Sequence, residues 1–442
     1  MAAGQDTREA RPASSAESSK ARGGARLPKP RPPGARGTRG LSGARRELRR
    51  ALDSPLTAYY LLMGSGLLLT VLGLVMVLSA SQITSRTIYG SFDAIFTKQL
   101  IAVSLGFPLM WIASRLPLRW YRRLAYPLLL GCVAALCLVL VPGLGLEVNG
   151  NRNWIGFGSF QIQPSEFAKL ALVLWGADVL TRKRRLLGQW RHMFVPLLPG
   201  ALIILFLVLL GGDMGTAMII TVLVLALLWI AGAPGRLFVL ALGVVSVATT
   251  VLIVLKPHRA ARFTGFLDPF ADPNGSTLQA AQGIYSLATG GWFGSGIGTS
   301  YGKWGTLPEA HTDFIFAVIG EELGLVGTLS VLTLFAALGY AGIRVASRTK
   351  DQFVRLAAGG ATAWIMAQVM INVGAVLGLL PIAGVPLPLV SYGGSALLPT
   401  MFAVGMLLSF ARGEPKAEAA LAARGPGAVR RAFARILPRR DG

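Results

Sequence analysis

From Pro55 to Ala411 the chain alternates between long apolar runs and short polar breaks. A run of roughly 18–25 apolar residues spans a bilayer as an α-helix. A helix is favoured there because it satisfies its own backbone where no water is available. Such runs occupy 57–80, 94–114, 121–141, 164–180, 194–210, 214–232, 235–255, 313–341, 353–380 and 394–411. They predict an all-α polytopic membrane protein of about ten transmembrane helices, with a membrane domain over 56–411. Charged residues make up 14% of the chain, against about 25% in soluble proteins, too few to cover a globule in water. A soluble enzyme, a disulfide-built secreted domain and a collagen-like fibre are thereby excluded. Cys132 and Cys137 share one apolar run, so neither a disulfide framework nor a zinc site is implied.

The formal charge is nevertheless +23, and its distribution sets the orientation. Residues 1–55 carry 13 Lys/Arg and few large apolar groups, the composition of a disordered basic tail rather than of a signal peptide. A second basic tail covers 412–442. Together with the breaks after the second, fourth, sixth and eighth runs, the tails hold 35 of the 43 Lys/Arg. Lys/Arg excess marks the cytoplasmic side, so both termini are expected in the cytoplasm. The charge is then orientation plus attraction to anionic lipid, and no nucleic-acid partner is needed to explain it.

The opposite face has breaks at 81–93, 142–163, 211–213, 256–312 and 381–393. The large extracytoplasmic loop at about 256–312, between helices seven and eight, is too rich in aromatics to be disordered. Its glycines at 290, 291, 294, 296, 298 and 302 suggest a backbone that approaches something closely. The run Gly294-Ser-Gly-Ile-Gly298 follows no strand and is not a dinucleotide fingerprint.

Three polar clusters stand on this face. Glu309, His311, Thr312 and Asp313 crowd the start of the eighth run; helix capping by Thr312 or Asp313 and a functional site are both open there. Glu321 and Glu322 lie about 12 Å deeper, where acids are costly and face a cavity, a partner or a proton path. Asp313 and Gly320, seven apart, share a helical face that would leave space beside the aspartate. Asn149-Gly-Asn-Arg-Asn-Trp154 precedes Gln163-Pro-Ser-Glu-Phe-Ala-Lys169. In it Glu166 and Lys169 form either a local ion pair or, with Arg152 and Trp154, a site for a phosphate and a sugar or lipid. The uncharged segment from Pro381 to Ser395 reads as plain turns or as a broken, re-entrant piece bearing Ser391.

In that order, Asn-Gly-Asn-Arg-Asn-Trp-Ile, Gln-Pro-Ser-Glu-Phe-Ala-Lys-Leu, Leu307-Pro-Glu-Ala-His-Thr-Asp313 with its helix, and Pro386-Leu-Pro-Leu-Val-Ser-Tyr-Gly-Gly-Ser395 resemble the SEDS family of bacterial polymerases, which includes FtsW, RodA and SpoVE. The resemblance covers about 55–412. The exit Phe410-Ala-Arg-Gly-Glu-Pro415 and the long N-terminal tail are most like the FtsW branch.

The resemblance implies a peptidoglycan glycosyltransferase that polymerises lipid II on the outer face of the bacterial cytoplasmic membrane, for septal wall synthesis in cell division. It places the family's essential aspartate at Asp313 and its loop tryptophan at Trp154. The family's arginine before that tryptophan is displaced here: Asn153 stands in its place and Arg152 one earlier. It further implies a class B penicillin-binding protein as transpeptidase partner, among other divisome proteins. Chemically, a sugar hydroxyl must lose a proton to a carboxylate, and cations must meet the departing pyrophosphate. Arg152, Lys169, Arg259, Arg262 and Lys303 are among the eight basic residues off the cytoplasmic side. Glu166, Glu309, His311 and Ser391 complete the candidate substrate contacts. A divalent cation, Mg or Mn, is conceivable, without a dedicated ligand set. Two other readings suit the same features: a lipid II flippase or transporter, and a non-catalytic scaffold for the transpeptidase.

Overall fold

The computed structural model describes residues 54, 56–148, 150–157, 160–186, 190–254, 266–272, 275, 277–414 and 417. Residues 1–53 and 418–442 of the basic tails, Arg259 and Arg262 lie outside them. Each of the ten apolar runs contains a helix: α1 (Thr57–Tyr89), α2 (Ala94–Arg115), α3 (Leu118–Leu140), α4 (Pro164–Arg182), α5 (Trp190–Leu210), α6 (Met214–Ala231), α7 (Gly235–Val254), α9 (Ile315–Arg348), α10 (Gln352–Val376) and α11 (Gly394–Arg412). A shorter helix, α8 (Leu278–Thr289), sits within the large loop. By length and composition seven of the described helices can cross a membrane: α1, α2, α3, α6, α9, α10 and α11.

Local chemistry sets several boundaries. Pro164 opens α4 in the first helical turn, where its missing N–H costs nothing. Asp213 caps α6 by accepting from the Thr216 N–H, and Asp351 caps α10 through the N–H groups of Phe353 and Val354. The first helix runs nine residues beyond its apolar stretch, to Tyr89. Ser81 and Ser85 on that extension are buried, so tertiary packing rather than hydropathy carries it on.

α4 and α10 form the centre. From Pro164 to Leu180 every α4 residue except Phe167 is buried. Close approach is possible because α10 presents Gly360 to Leu227 of α6 and Val173 of α4. The outer helices expose Leu105, Trp111, Leu130 and Leu202, the apolar flanks expected against lipid.

Among the described residues the helical fold carries one strand element that hydropathy does not announce. Residues 142–163 contain a three-stranded antiparallel sheet: β1 (Gly145–Val148), β2 (Asn151–Phe157) and β3 (Phe160–Ile162). Its strands are only three to seven residues long, too short for a period-2 pattern to stand out. A usable signal was present in the two-residue link Asn149-Gly150, since Asn-Gly favours tight hairpins.

In the large loop the glycines between Gly291 and Gly296 approach α9 itself. Leu325 N–H donates to Gly291 O at 2.9 Å, while Ser295 and Gly296 N–H donate to Glu321 O and Glu322 O at 2.9 and 3.0 Å. They do so where α9 is interrupted at Gly324, whose φ of 67° and ψ of −161° break the helix. Gly294 has φ 78°, and a Cβ there would collide with the Glu322 carbonyl, so only glycine fits.

Candidate active site

Asp313 lies one residue before the N-cap of α9. That N-cap is Phe314 and has no side-chain cap bond; Thr312 Oγ1 instead donates to Glu309 Oε2 at 2.6 Å. The turn depends on Glu309, which adopts φ 57° and whose carbonyl accepts from Thr312 and Phe314 N–H. Asp313 faces a pocket lined by Phe314, Ile371, Asn372, Ala375 and the segment Ile382–Val385. The space beside the carboxylate comes from Gly384, where a Cβ would stand 3.6 Å from Asp313 Oδ2 and where φ is 64°. It does not come from Gly320, whose face is filled by Leu287 of α8.

The segment 381–393 has no regular structure, although Val385, Leu387, Leu389 and Val390 are buried. Irregular backbone at this depth requires partners, and side chains of the helices provide them. Asn372 Nδ2 donates to Val385 O and to Asp313 O, each at 2.7 Å. Gln368, one turn earlier, donates to Pro386 O at 3.0 Å. Ser391 Oγ accepts from Leu387 N–H at 2.7 Å and donates to Thr312 O at 2.6 Å. Gln99 Nε2 donates to Ser391 O, and its Oε1 accepts from Gly393 N–H. Ser391 therefore joins two backbones beside Asp313.

Lys169 and Glu166 are fully enclosed. Their side chains are 0% and 3% exposed and 2.7 Å apart. Lys169 Nζ also donates to Gln368 Oε1 at 3.1 Å and lies 5.4 Å from the Trp364 ring centroid. Trp364 donates to the same Gln368 oxygen at 2.9 Å. Trp364, Gln368 and Asn372 follow one another at four-residue steps along one face of α10, linking the ion pair of α4 to the backbone of Asp313.

The sheet reaches this assembly through Asp213. Its carboxylate accepts from Gln163 Nε2 at 2.7 Å, with Asn153 and Ser165 at 3.5 and 3.4 Å. Ser395, at the head of α11, accepts from Gln163 N–H and donates to Gln161 O, both at 3.1 Å. Trp154 and Arg152 lie on β2, half-buried; Arg152 faces Glu147 across the hairpin at 3.8 Å. Lys303 is buried and donates to the Gly298 carbonyl. Asp213, Gln368, Asn372 and Gln99 were not singled out in the sequence. Asp213 had a cap signal before Met214, and the two amides were polar positions one turn apart in an apolar helix.

His311 packs its ring on Tyr392, with centroids 5.6 Å apart. Burial lowers its pKa, against a smaller raising effect from Glu309. Neutral His311 is thus favoured in the folded state, so stability is complete above the unfolded value of about 6.5 and declines as pH falls through the lowered folded value. Thermal melts between pH 7 and pH 5 should show a smaller decline for His311→Phe than for the wild type; equal declines would remove His311 as the cause.

Among the described residues no group of three His, Cys, Asp or Glu is placed to hold a metal ion. Glu309 is bonded to Thr312 and His311 is packed on Tyr392.

Comparisons with known proteins agree with this architecture. A probable peptidoglycan glycosyltransferase FtsW of Mycobacterium tuberculosis is 41% identical over 387 residues, covering 88% of this chain and 74% of that protein. Stage V sporulation protein E of Bacillus subtilis is 39% identical over 349 residues, covering 78% of this chain and 94% of that protein. A solved chain from a peptidoglycan synthase complex that coordinates polymerization and crosslinking superposes with a TM-score of 0.66 at 30% identity, over 80% of this chain and 97% of that one. The rod shape determining protein RodA of Thermus thermophilus superposes with a TM-score of 0.60 at 28% identity, over 80% and 97%. Residues 59–416 match the family model described as cell cycle protein, which unites FtsW, RodA and SpoVE, and the chain belongs to that family.

Proposed function

We propose that the chain is a peptidoglycan glycosyltransferase that polymerises lipid II at the outer face of the cytoplasmic membrane, with both termini in the cytoplasm, and that it serves the division septum. The observation that carries this reading is the placement of Asp313. Asp313 lines a pocket, while its own carbonyl is held by Asn372 and the preceding carbonyl by Ser391. A carboxylate that borders a pocket, on a backbone held by Asn372 and Ser391, suits a general base.

Asp313 accepts the proton of the sugar hydroxyl that attacks. The new bond forms between that oxygen and the anomeric carbon, as the bond from that carbon to the polyprenyl pyrophosphate oxygen breaks. The leaving group gains negative charge, which nearby cations stabilise. Arg152 on β2 is a described cation with both partial exposure and a weak partner; Arg259 and Arg262 are the further candidates. Lys169, Glu166 and Ser391 support the site from within, and Trp154 offers a flat face to a sugar. Glu309 and His311 shape the turn that presents Asp313. A class B penicillin-binding protein is the proposed companion, since the solved relative comes from a complex that coordinates polymerization and crosslinking.

Purified chain with such a partner, reconstituted in vesicles carrying lipid II, should yield glycan strands resolvable by gel. Movement of lipid II between leaflets without any polymer would replace this reading with the flippase. Polymer made by the partner alone would leave the chain a scaffold.

A further inference from the structure

The chemistry above uses neither the buried acids Glu321 and Glu322 nor the segment 290–304. The two belong together. Glu321 accepts from Ser300 Oγ at 2.6 Å and from the N–H groups of Tyr301 and Gly302. Glu322 accepts from Ser300 N–H at 3.3 Å and from Ser79 Oγ of α1 at 2.6 Å. The α9 backbone pairs with Gly291, Trp292, Ser295 and Gly296, and Lys303 turns inward to the Gly298 carbonyl. Polar groups of an irregular segment are thereby gathered on its inner side.

Its outer side is the reverse. Trp292, Phe293, Ile297, Tyr301 and Trp304 are between 60% and 82% exposed. Leu325, Val326 and Leu329 of α9, beside and below them, are exposed too, so the apolar surface continues onto a helix able to cross the membrane.

Its height follows from helix geometry. Counting from the cytoplasmic ends, Gly324 lies 24 residues from Arg348, Asn372 lies 20 from Gln352 and Ser79 lies 22 from Thr57. At 1.5 Å per residue these are about 30–36 Å away, the thickness of the hydrocarbon core or slightly more. The stretch of α9 bonded to the segment is therefore at the outer boundary.

We propose that residues 290–304 form a collar seated in the outer leaflet, with those five side chains among lipid at the junction of acyl chains and headgroups. Trp and Tyr favour that layer, and exposed apolar clusters mark a membrane or partner surface. Backbone that leaves water needs internal acceptors, and the carboxylates of Glu321 and Glu322 replace water in that role. Their position deep in α9 is thus explained without a proton path. The collar also fixes the kink of α9 against the bilayer, and with it the height of the turn bearing Asp313.

The test is independent of enzymatic activity. Phe293→Cys, in a background of Cys132→Ser and Cys137→Ser, takes a polarity-sensitive fluorophore at an exposed position. The labelled protein is placed in vesicles of phosphatidylglycerol and phosphatidylethanolamine brominated at shallow acyl carbons. Bromolipid should quench the label several-fold more than aqueous iodide does. Quenching by iodide alone would make the segment a water-facing loop and overturn the proposal. So would a label quenched by bromolipid only until the transpeptidase partner is added, because the surface would then belong to that partner. Adding Glu321→Ala to the labelled protein should shift quenching toward iodide; if that variant fails to fold, the Phe293 label alone decides.

Discussion

Polymerisation of lipid II should fall by about 10²–10⁴-fold when Asp313 is changed to Asn, the usual contribution of a positioned general base. The substitution keeps the shape of the side chain and removes the proton acceptor. The backbone carbonyl that Asn372 holds is untouched, as is the bond from Ser391 to Thr312 O. Expression, melting temperature and partner binding should therefore match the wild type. Full polymerisation by the Asn variant would sink the assignment of Asp313 as base. Gel analysis of glycan strands from vesicles, beside a melt of the same preparation, separates lost chemistry from lost folding.

The second large effect is on stability. Lys169→Met leaves Glu166 enclosed at 3% exposure without its cation, and Glu166 Oε2 already lacks a protein partner. Removing one member of a buried pair costs about 3–5 kcal/mol. The Gln368 oxygen would keep its bond from Trp364, so the loss should be that of the stranded carboxylate. Glu166→Gln with Lys169→Met removes both charges and should recover most of the stability. Thermal unfolding in detergent measures this, and polymerisation should follow the folded fraction. A double variant that is fully folded yet inactive would show that Lys169 meets substrate, against its complete burial.

Much of the site was legible in the sequence because its parts are local. Asp313 stands out as an acid at the junction of a long loop and a membrane helix, and Pro164 announces a helix start by its own chemistry. The Glu166 and Lys169 pair follows from a three-residue spacing. Its second partner does not: Gln368 lies 199 residues away, and no periodicity relates the two. Likewise the glycines of the large loop foretold close backbone approach, but not that the surface approached is the kink in α9. The short sheet was hidden because its strands are three to seven residues long and the polar run Asn151-Arg152-Asn153 interrupts the alternation in the longest of them.

Hydropathy and charge by themselves determined that this chain is a helical membrane protein, since apolar length and the lack of polar cover leave no soluble alternative. The Lys/Arg distribution adds an expected orientation for the few residues capable of chemistry. Only the tertiary structure decided how Asp313 is presented, with Asn372, Gln368 and Ser391 standing in for water on a buried, irregular backbone. It likewise decided that Glu321, Glu322 and Lys303 serve the loop. The physical reason is common to both: a polar group removed from water must find a partner, and at these positions that partner comes from a distant part of the chain.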